Sequence, residues 1–167
     1  MAVEWHDKVD DNDNVIGKIT REEINTTDTY NFRVVNMFIK NSKGQLWTPR
    51  RVKSKRTFPD ALDFAVGGHV DMGETYEEAL VRETMEELNI ELDMKHVHKI
   101  GRLTPADGRF AFMNIYEYET DEDPRYNPQD FSGFEWLSPQ ELVDRIESGD
   151  KAKSDIAPIV RSFYIDQ

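Results

Sequence analysis

The stretch Gly67 to Ile90, GGHVDMGETYEEALVRETMEELNI, runs from a glycine pair through a short loop into an acid-rich segment. Thr75 and Glu78 fit the capping box S/T-x-x-E, which predicts a helix from Thr75 to Leu88, and Asn89 marks its end. At about 100° per residue, Leu80, Val81, Thr84, Met85 and Leu88 share one broad sector, expected to pack on a sheet. Glu83, Glu86 and Glu87 fall in a neighbouring sector because they stand at i, i+3 and i+4. Like charges at that spacing are unfavourable, and the helix dipole disfavours acids near its C-terminus. Something positive is therefore expected beside them. Carboxylate oxygens suit a hard cation such as Mg²⁺ or Mn²⁺, which keeps open positions for waters and phosphate oxygens. A solvated acidic face is the other reading of these three residues.

Outward from this segment, short apolar runs alternate with turn residues, without repeats or low-complexity stretches. Glu4 to Val9 and Val15 to Thr20 flank DDNDN and read as an N-terminal hairpin; Arg33 to Ile39 and Gln45 to Arg51 flank KNSKG and read as a second. Leu62 to Val66 is expected as a strand leading into the glycine pair. Val97 to Leu103 and Phe110 to Tyr118 are expected as strands joined by TPADGR, with Asp107-Gly108 at the turn. DEDPRYNPQDFSG reads as a long loop, Phe134 to Leu137 as a strand, and Ser138 to about Ser148 as a capped helix with proline at its first position. Ile156, Ile159, Val160, Phe163 and Tyr164 have helical spacing. This irregular mixture predicts an α/β (α+β) fold with a mixed sheet, one domain over 1–167 with the hairpin of about 4–20 as an extension.

The chain holds 33 acidic and 21 basic residues, a net charge of -12, which argues against binding to a nucleic acid polymer or an anionic membrane. An anionic substrate would need a cation or a local basic patch. The sequence has no cysteine, which excludes disulfides, thiolate metal sites and a cysteine nucleophile. MAVEWHDKVDD lacks the apolar core of a signal peptide, and no run approaches a membrane span, so a cytoplasmic protein is expected. Oligomeric state is open, a homodimer included.

Gly68, Glu74, Arg82, Glu83, Glu86, Glu87 and Ile90 follow the spacing G-x5-E-x7-R-E-U-x-E-E-x-G-U, where U is bulky and aliphatic. The segment resembles the Nudix box, the signature of the Nudix hydrolases. Two positions depart from it: Thr84 replaces an aliphatic residue, and Asn89 replaces a glycine at the helix end, where asparagine also tolerates the left-handed conformation. The resemblance implies a mixed β-sheet sandwiched between helices and metal-dependent hydrolysis of a diphosphate linkage in a nucleoside diphosphate derivative or nucleoside di- or triphosphate. It further implies that Glu83, Glu86 and Glu87 bind Mg²⁺ (or Mn²⁺), that Arg82 orients them, that the Gly68 carbonyl approaches the metal, and that Glu74 braces the loop. Glu83 or Glu86 is the expected base, with Glu117, Glu119 and Glu135 as candidates outside the box.

WHDKVDDNDNVIGKITR, FIKNSKGQLWTPRR and DFAVGGHVDMGE are similar to the Nudix branch containing isopentenyl-diphosphate isomerase. Those isomerases use a cysteine where this chain has Gly67. Protonating an alkene needs that positioned acid, so the isomerase is the weaker alternative. A nucleotide-sensing module without catalysis is a third reading, disfavoured by the complete acid set. RRVKSKR supplies Arg50 and Arg51 as candidate phosphate contacts, with a solvated loop as the equal alternative. His69 is the least secure of four histidines read as structural. Trp47, Phe110, Phe112 and Tyr116 could stack on a base, although an alternating aromatic stripe is usually core.

Overall fold

The computed structural model describes residues 2–26 and 31–167. Two strands, β1 (Trp5–Val9) and β2 (Val15–Thr20), pair antiparallel, as the polar turn between them predicts. The Asp10 side chain closes that turn by accepting from the backbone N–H groups of Asn12 and Asn14 at 2.9 Å. A short helix follows, α1 (Arg21–Thr26), which the sequence reading did not anticipate.

The main sheet is built on β3 (Arg33–Lys40) and β4 (Leu46–Arg51), the second expected hairpin. The next strand is β5 (Val66–His69). It begins where the expected strand ends, so the glycine pair is itself in the sheet, with Gly68 opposite Val35 and Gly67 opposite Asn36. Leu62 makes only isolated bridges, to Arg50 and Ala152. After helix α2 (Tyr76–Leu88), β6 (Val97–Leu103) and β7 (Phe112–Glu119) form an antiparallel pair around a short 3-10 turn at Pro105–Asp107. Strand β8 (Phe131–Leu137) starts earlier than expected, inside the supposed loop, because Phe131 pairs with Arg51 and buries its ring. The order is β6-β7-β3-β4-β8 with β5 against β3, and β3 runs parallel to β7 while its other pairings are antiparallel. The sheet is therefore mixed.

Alternation along β3 divides the core. Val34 and Phe38 face α3 (Pro139–Glu147) and α4 (Ile156–Val160), in a cluster with Leu142, Val143, Ile156, Ile159 and Val160. Val35, Met37 and Ile39 face the other way, toward Ala79, Leu80 and Leu88 of α2. Helices thus cover both faces of the sheet, the expected sandwich. The C-terminal amphipathic segment forms as α4 and continues as a π-helical turn, Arg161–Ile165. Phe163 lies against Gly101, where an added Cβ would meet the ring at 2.3 Å. Trp47 is core, 2% exposed, and Phe112 and Tyr116 are buried too, whereas Phe110 precedes β7 and is 45% exposed. No helix among the described residues is long and apolar enough to cross a membrane.

Candidate active site

Helix α2 begins as its sequence dictates. Thr75 accepts from the Glu78 N–H at 3.1 Å and the Glu78 carboxylate accepts from the Thr75 N–H at 2.9 Å, the complete capping box. It ends on Asn89 in the left-handed region, φ 55°, where the glycine of the pattern would stand. The other departure, Thr84, is fully buried and satisfies its hydroxyl by donating to the Leu80 carbonyl at 2.7 Å.

The buried side of α2 differs from the expected sector. Ala79, Leu80, Thr84 and Leu88 are buried, while Val81 and Met85 are 36% and 45% exposed. At about 100° per residue, Glu83 and Glu87 fall between Ala79 and Leu80, on the sheet side of the helix. The two acids are therefore pressed toward β5. At Gly68, an added Cβ would lie 2.2 Å from Glu83 Cδ and 2.3 Å from Oε1, so only glycine leaves room for this carboxylate.

Arg82 ties the acids to the loop before the helix. It donates to Glu74 through Nε (2.7 Å) and Nη2 (2.9 Å), to Glu83 Oε1 through Nη1 (2.8 Å), and to the His69 carbonyl through Nη2 (3.1 Å). Glu86 Oε2 stands 3.6 Å from Nη1, and Asp71 Oδ2 stands 3.4 Å from Nη2. Glu74 also accepts from the Asp71 N–H at 2.9 Å. The arginine faces both Glu83 and Glu86. Among the described residues, no three carboxylates or imidazoles are gathered into a ready-made cage for a metal.

Electrostatics at this point are unfavourable to charge. Burial pushes Glu87 well above the usual carboxylate range, and the negative charges of Glu83, Asp63 and Asp130 add to the shift against the pull of Lys153. Burial also raises Glu83, partly offset by its bond to Arg82. Glu74 is held low by its hydrogen bond to Arg82. Two inward carboxylates that resist ionisation, on a glycine floor, are a donor set that a hard divalent cation fits. Mg²⁺ needs few protein ligands because waters and substrate oxygens complete its shell.

Gly68, Arg82, Glu83, Glu86 and Glu87 line a cleft of about 1080 Å³, together with Gly67, Arg51, Lys55 and Lys153. Arg51 donates to Asp63 at 2.8 Å and to the Thr57 carbonyl at 3.0 Å, and Lys55 pairs with Asp130 at 2.6 Å. Arg50 is placed differently: it grips Asp150 at 2.9 and 3.1 Å and does not line the cleft. Neither do Glu117, Glu119 and Glu135, which pair with Lys40 or Arg145. Asp130, Lys153 and Asp155 do line it, and sequence reasoning missed them. They come from loops distant in sequence and carry no spacing that would mark them. His69 lines the cleft as well, its ring stacked on Phe32 at 5.2 Å and contacted by the Arg21 guanidinium. Burial, with the positive charge of Arg21 beside it, holds its pKa well below the usual imidazole value. His6 is buried, whereas His96 is 73% exposed.

Fold and site together define an α+β domain whose acid-bearing helix turns Glu83 and Glu87 toward a glycine-bearing strand. The chain belongs to the Nudix family: the NUDIX domain profile matches residues 31–160, and close relatives are Nudix hydrolases. An uncharacterized Nudix hydrolase of Nostoc sp. is 49% identical over 95% of this chain and 94% of its own length. A Nudix hydrolase of Deinococcus radiodurans is 46% identical over 96% and 94%. A crystal structure of a Deinococcus radiodurans protein superposes with TM-score 0.91 at 46% identity, covering 96% of this chain and 99% of that one. An isopentenyl-diphosphate isomerase of Kocuria rhizophila is 27% identical over 83% of this chain and 79% of its own.

Proposed function

We propose that this Nudix hydrolase cleaves a diphosphate linkage in a nucleoside diphosphate derivative or nucleoside di- or triphosphate, using Mg²⁺ or Mn²⁺. One observation carries the reading: Glu83 lies on the floor of the cleft against Gly68, fixed by Arg82, with Glu86 and Glu87 beside it. Glu83, Glu86, Glu87 and the Gly68 carbonyl would hold the cation, which when bound neutralises diphosphate charge and acidifies water. Arg82 and Glu74 act as positioning residues. Glu86, with its side chain 57% exposed, is the proton acceptor we assign. Arg51 and Lys55 supply positive charge along the cleft, whereas Arg50, paired with Asp150, lies outside it.

The cleft also has an aromatic rim. Phe110 and Phe58 are exposed by 45% and 44%, both line the cleft, and Phe110 leans on Phe32 at 6.0 Å. Phe58 sits at φ 48°, an uncommon conformation for a bulky residue that recurs at functional sites. A planar base fits this rim better than a phosphate does.

An isomerase mechanism loses support from the space at Gly67 as well as from the missing thiol. An added Cβ there would lie 2.8 Å from Asn36 Oδ1. The test is incubation of pure protein with Mg²⁺ and a panel of nucleoside di- and triphosphates, nucleotide sugars and dinucleotide polyphosphates. Release of phosphate or nucleoside monophosphate, lost in Glu86→Gln and Glu87→Gln, is expected. Tight binding without turnover across the panel would favour a sensor, and conversion of isopentenyl diphosphate to its allylic isomer would restore the isomerase.

A further inference from the structure

The N-terminal hairpin lies outside the family-matched segment 31–160, yet it is joined to the loop that precedes the acidic helix. Loop residues 70–73 run along the free edge of β1. His6 forms a bridge with Asp71, the Met72 N–H donates to the Trp5 carbonyl at 3.0 Å, and His6 Nδ1 meets the Val70 carbonyl at 3.2 Å. The Gly73 N–H donates to Asp7 Oδ2 at 3.1 Å, and Asp7 is itself buried, 8% exposed, with Arg33 at 4.0 Å. The hairpin is anchored at its other end too. Asp13, at φ 64°, accepts from Arg33 Nε at 2.6 Å and from the Tyr76 hydroxyl and Arg102 Nη2 at 2.7 Å. Tyr76 is the first residue of α2, so the hairpin grips both the loop and the start of the helix.

From that loop the contacts continue to the acids. Asp71 approaches both His6 (3.4 Å) and Arg82 (3.4 Å), its N–H is held by Glu74, and Arg82 holds Glu83. We propose that the hairpin is a positioning part of the carboxylate site, and that Asp7, by holding the Gly73 N–H, is the residue through which it sets the loop and hence Arg82 and Glu83. The inference rests on the metal-site reading above. A free two-stranded hairpin has little stability of its own, so a hairpin fixed at both ends can hold a loop only by sharing its hydrogen bonds, as this one does.

The test compares wild type, Asp7→Ala and Asp7→Asn in the full chain by Mn²⁺ titration, read by electron paramagnetic resonance, and by amide hydrogen exchange. In Asp7→Ala the Gly73 N–H loses its buried acceptor. The amides of Met72 and Gly73 should exchange at least about tenfold faster while those of β3 and β7 keep their protection, and Mn²⁺ should bind roughly tenfold more weakly, the effect of losing an outer-shell partner. Asp7→Asn keeps an acceptor oxygen and should recover most of the affinity. Unchanged Mn²⁺ affinity in Asp7→Ala with a loosened loop would overturn the proposal. So would a uniform rise in exchange across β3 and β7, which marks Asp7 as a residue of the whole fold. If Asp7→Ala does not fold, Asp7→Ser, with a shorter reach to Gly73, takes its place under the same criteria. Neither readout needs turnover, so an inactive protein that binds Mn²⁺ would sink the hydrolase assignment alone. A wild type that binds no Mn²⁺ would sink both.

Discussion

Replacing Gly68 with alanine separates the chemistry of the site from the stability of the fold. The added methyl would stand 2.2 Å from Glu83 Cδ, whereas an ordinary Cβ contact begins near 3.4 Å, so the carboxylate must retreat by about 1 Å. The atoms in the way are the end of a flexible side chain, and Gly68 has no positive φ to forbid alanine. The cost to the fold should therefore sit at the low end of overpacking, about 1 kcal/mol, or a Tm drop of roughly 2–4 °C for a chain of this size. The cost to catalysis is larger, because displacing a reacting constellation by about 1 Å can cost 10²-fold, about 2.7 kcal/mol of transition-state stabilisation. Thermal melting by circular dichroism, kcat/KM on the best substrate of the panel at 25 °C, and Mn²⁺ affinity are measured side by side. A folded Gly68→Ala protein with a hundredfold loss of kcat/KM and weakened Mn²⁺ binding is expected. Wild-type kcat/KM in this variant would refute the placement of Glu83 on the working floor of the cleft, and activity lost only in step with unfolding would reduce Gly68 to a packing residue.

Glu87→Gln should abolish turnover yet raise the Tm of the metal-free protein at pH 7, because an acid whose folded pKa lies above its unfolded value costs stability once it must ionise. The sign follows: the contribution is fully present below about pH 4.5 and is lost as pH rises toward the folded pKa. The difference in Tm between wild type and Glu87→Gln, measured without metal, should therefore widen from pH 4.5 to neutral, and added Mg²⁺ should narrow it. Asp13→Ala strips the half-buried partner from Arg33, Arg102 and Tyr76 and should cost about 2 kcal/mol, read by urea denaturation. Burial works to raise the Asp13 pKa, but the bonds from Arg33, Tyr76 and Arg102 outweigh it, so its stabilisation holds above pH 3.8 and fades as pH falls through the depressed value. Phe110→Ala should raise KM for a nucleotide substrate about tenfold, or about 1.4 kcal/mol, with a smaller effect on kcat; an unchanged KM would remove the base from this rim.

Much of the fold was legible because its signals are local. Thr75, Glu78 and Asn89 declare the ends of α2 within a few residues of the bonds they make, and Ser138 with Glu141 does the same for α3. DDNDN and KNSKG bring together strands adjacent in sequence. Strand β5 is hidden in the sequence because glycine has poor strand propensity, and only the pairing with Val35 and Asn36 overrides it. The buried face of α2 is hidden for a related reason. Hydrophobicity assigns Val81 and Met85 to the packing sector, whereas the structure leaves both exposed and turns Glu83 and Glu87 toward β5.

The charge of the cleft shows why the candidate site was only half readable. A chain of net charge -12 needs a local concentration of cations to receive a phosphate, and RRVKSKR was the conspicuous run. Adjacent residues of a strand point to opposite faces, so Arg50 and Arg51 do not serve one cleft together. Arg51 turns to Asp63 and the cleft, and Arg50 turns to Asp150. The remaining cations arrive from elsewhere: Arg21 from the hairpin's end, Arg82 from the helix, and Lys153 from the segment before α4, where it pairs with Asp63 at 3.0 Å. A single carboxylate thus holds both Arg51 and Lys153, one from each side of the cleft's sequence. In an acidic chain, then, the basic lining of the cleft is assembled by acids: Asp63 and Asp130 fix cations that mutual repulsion would scatter, so that the phosphate of the proposed substrate would meet them already ordered.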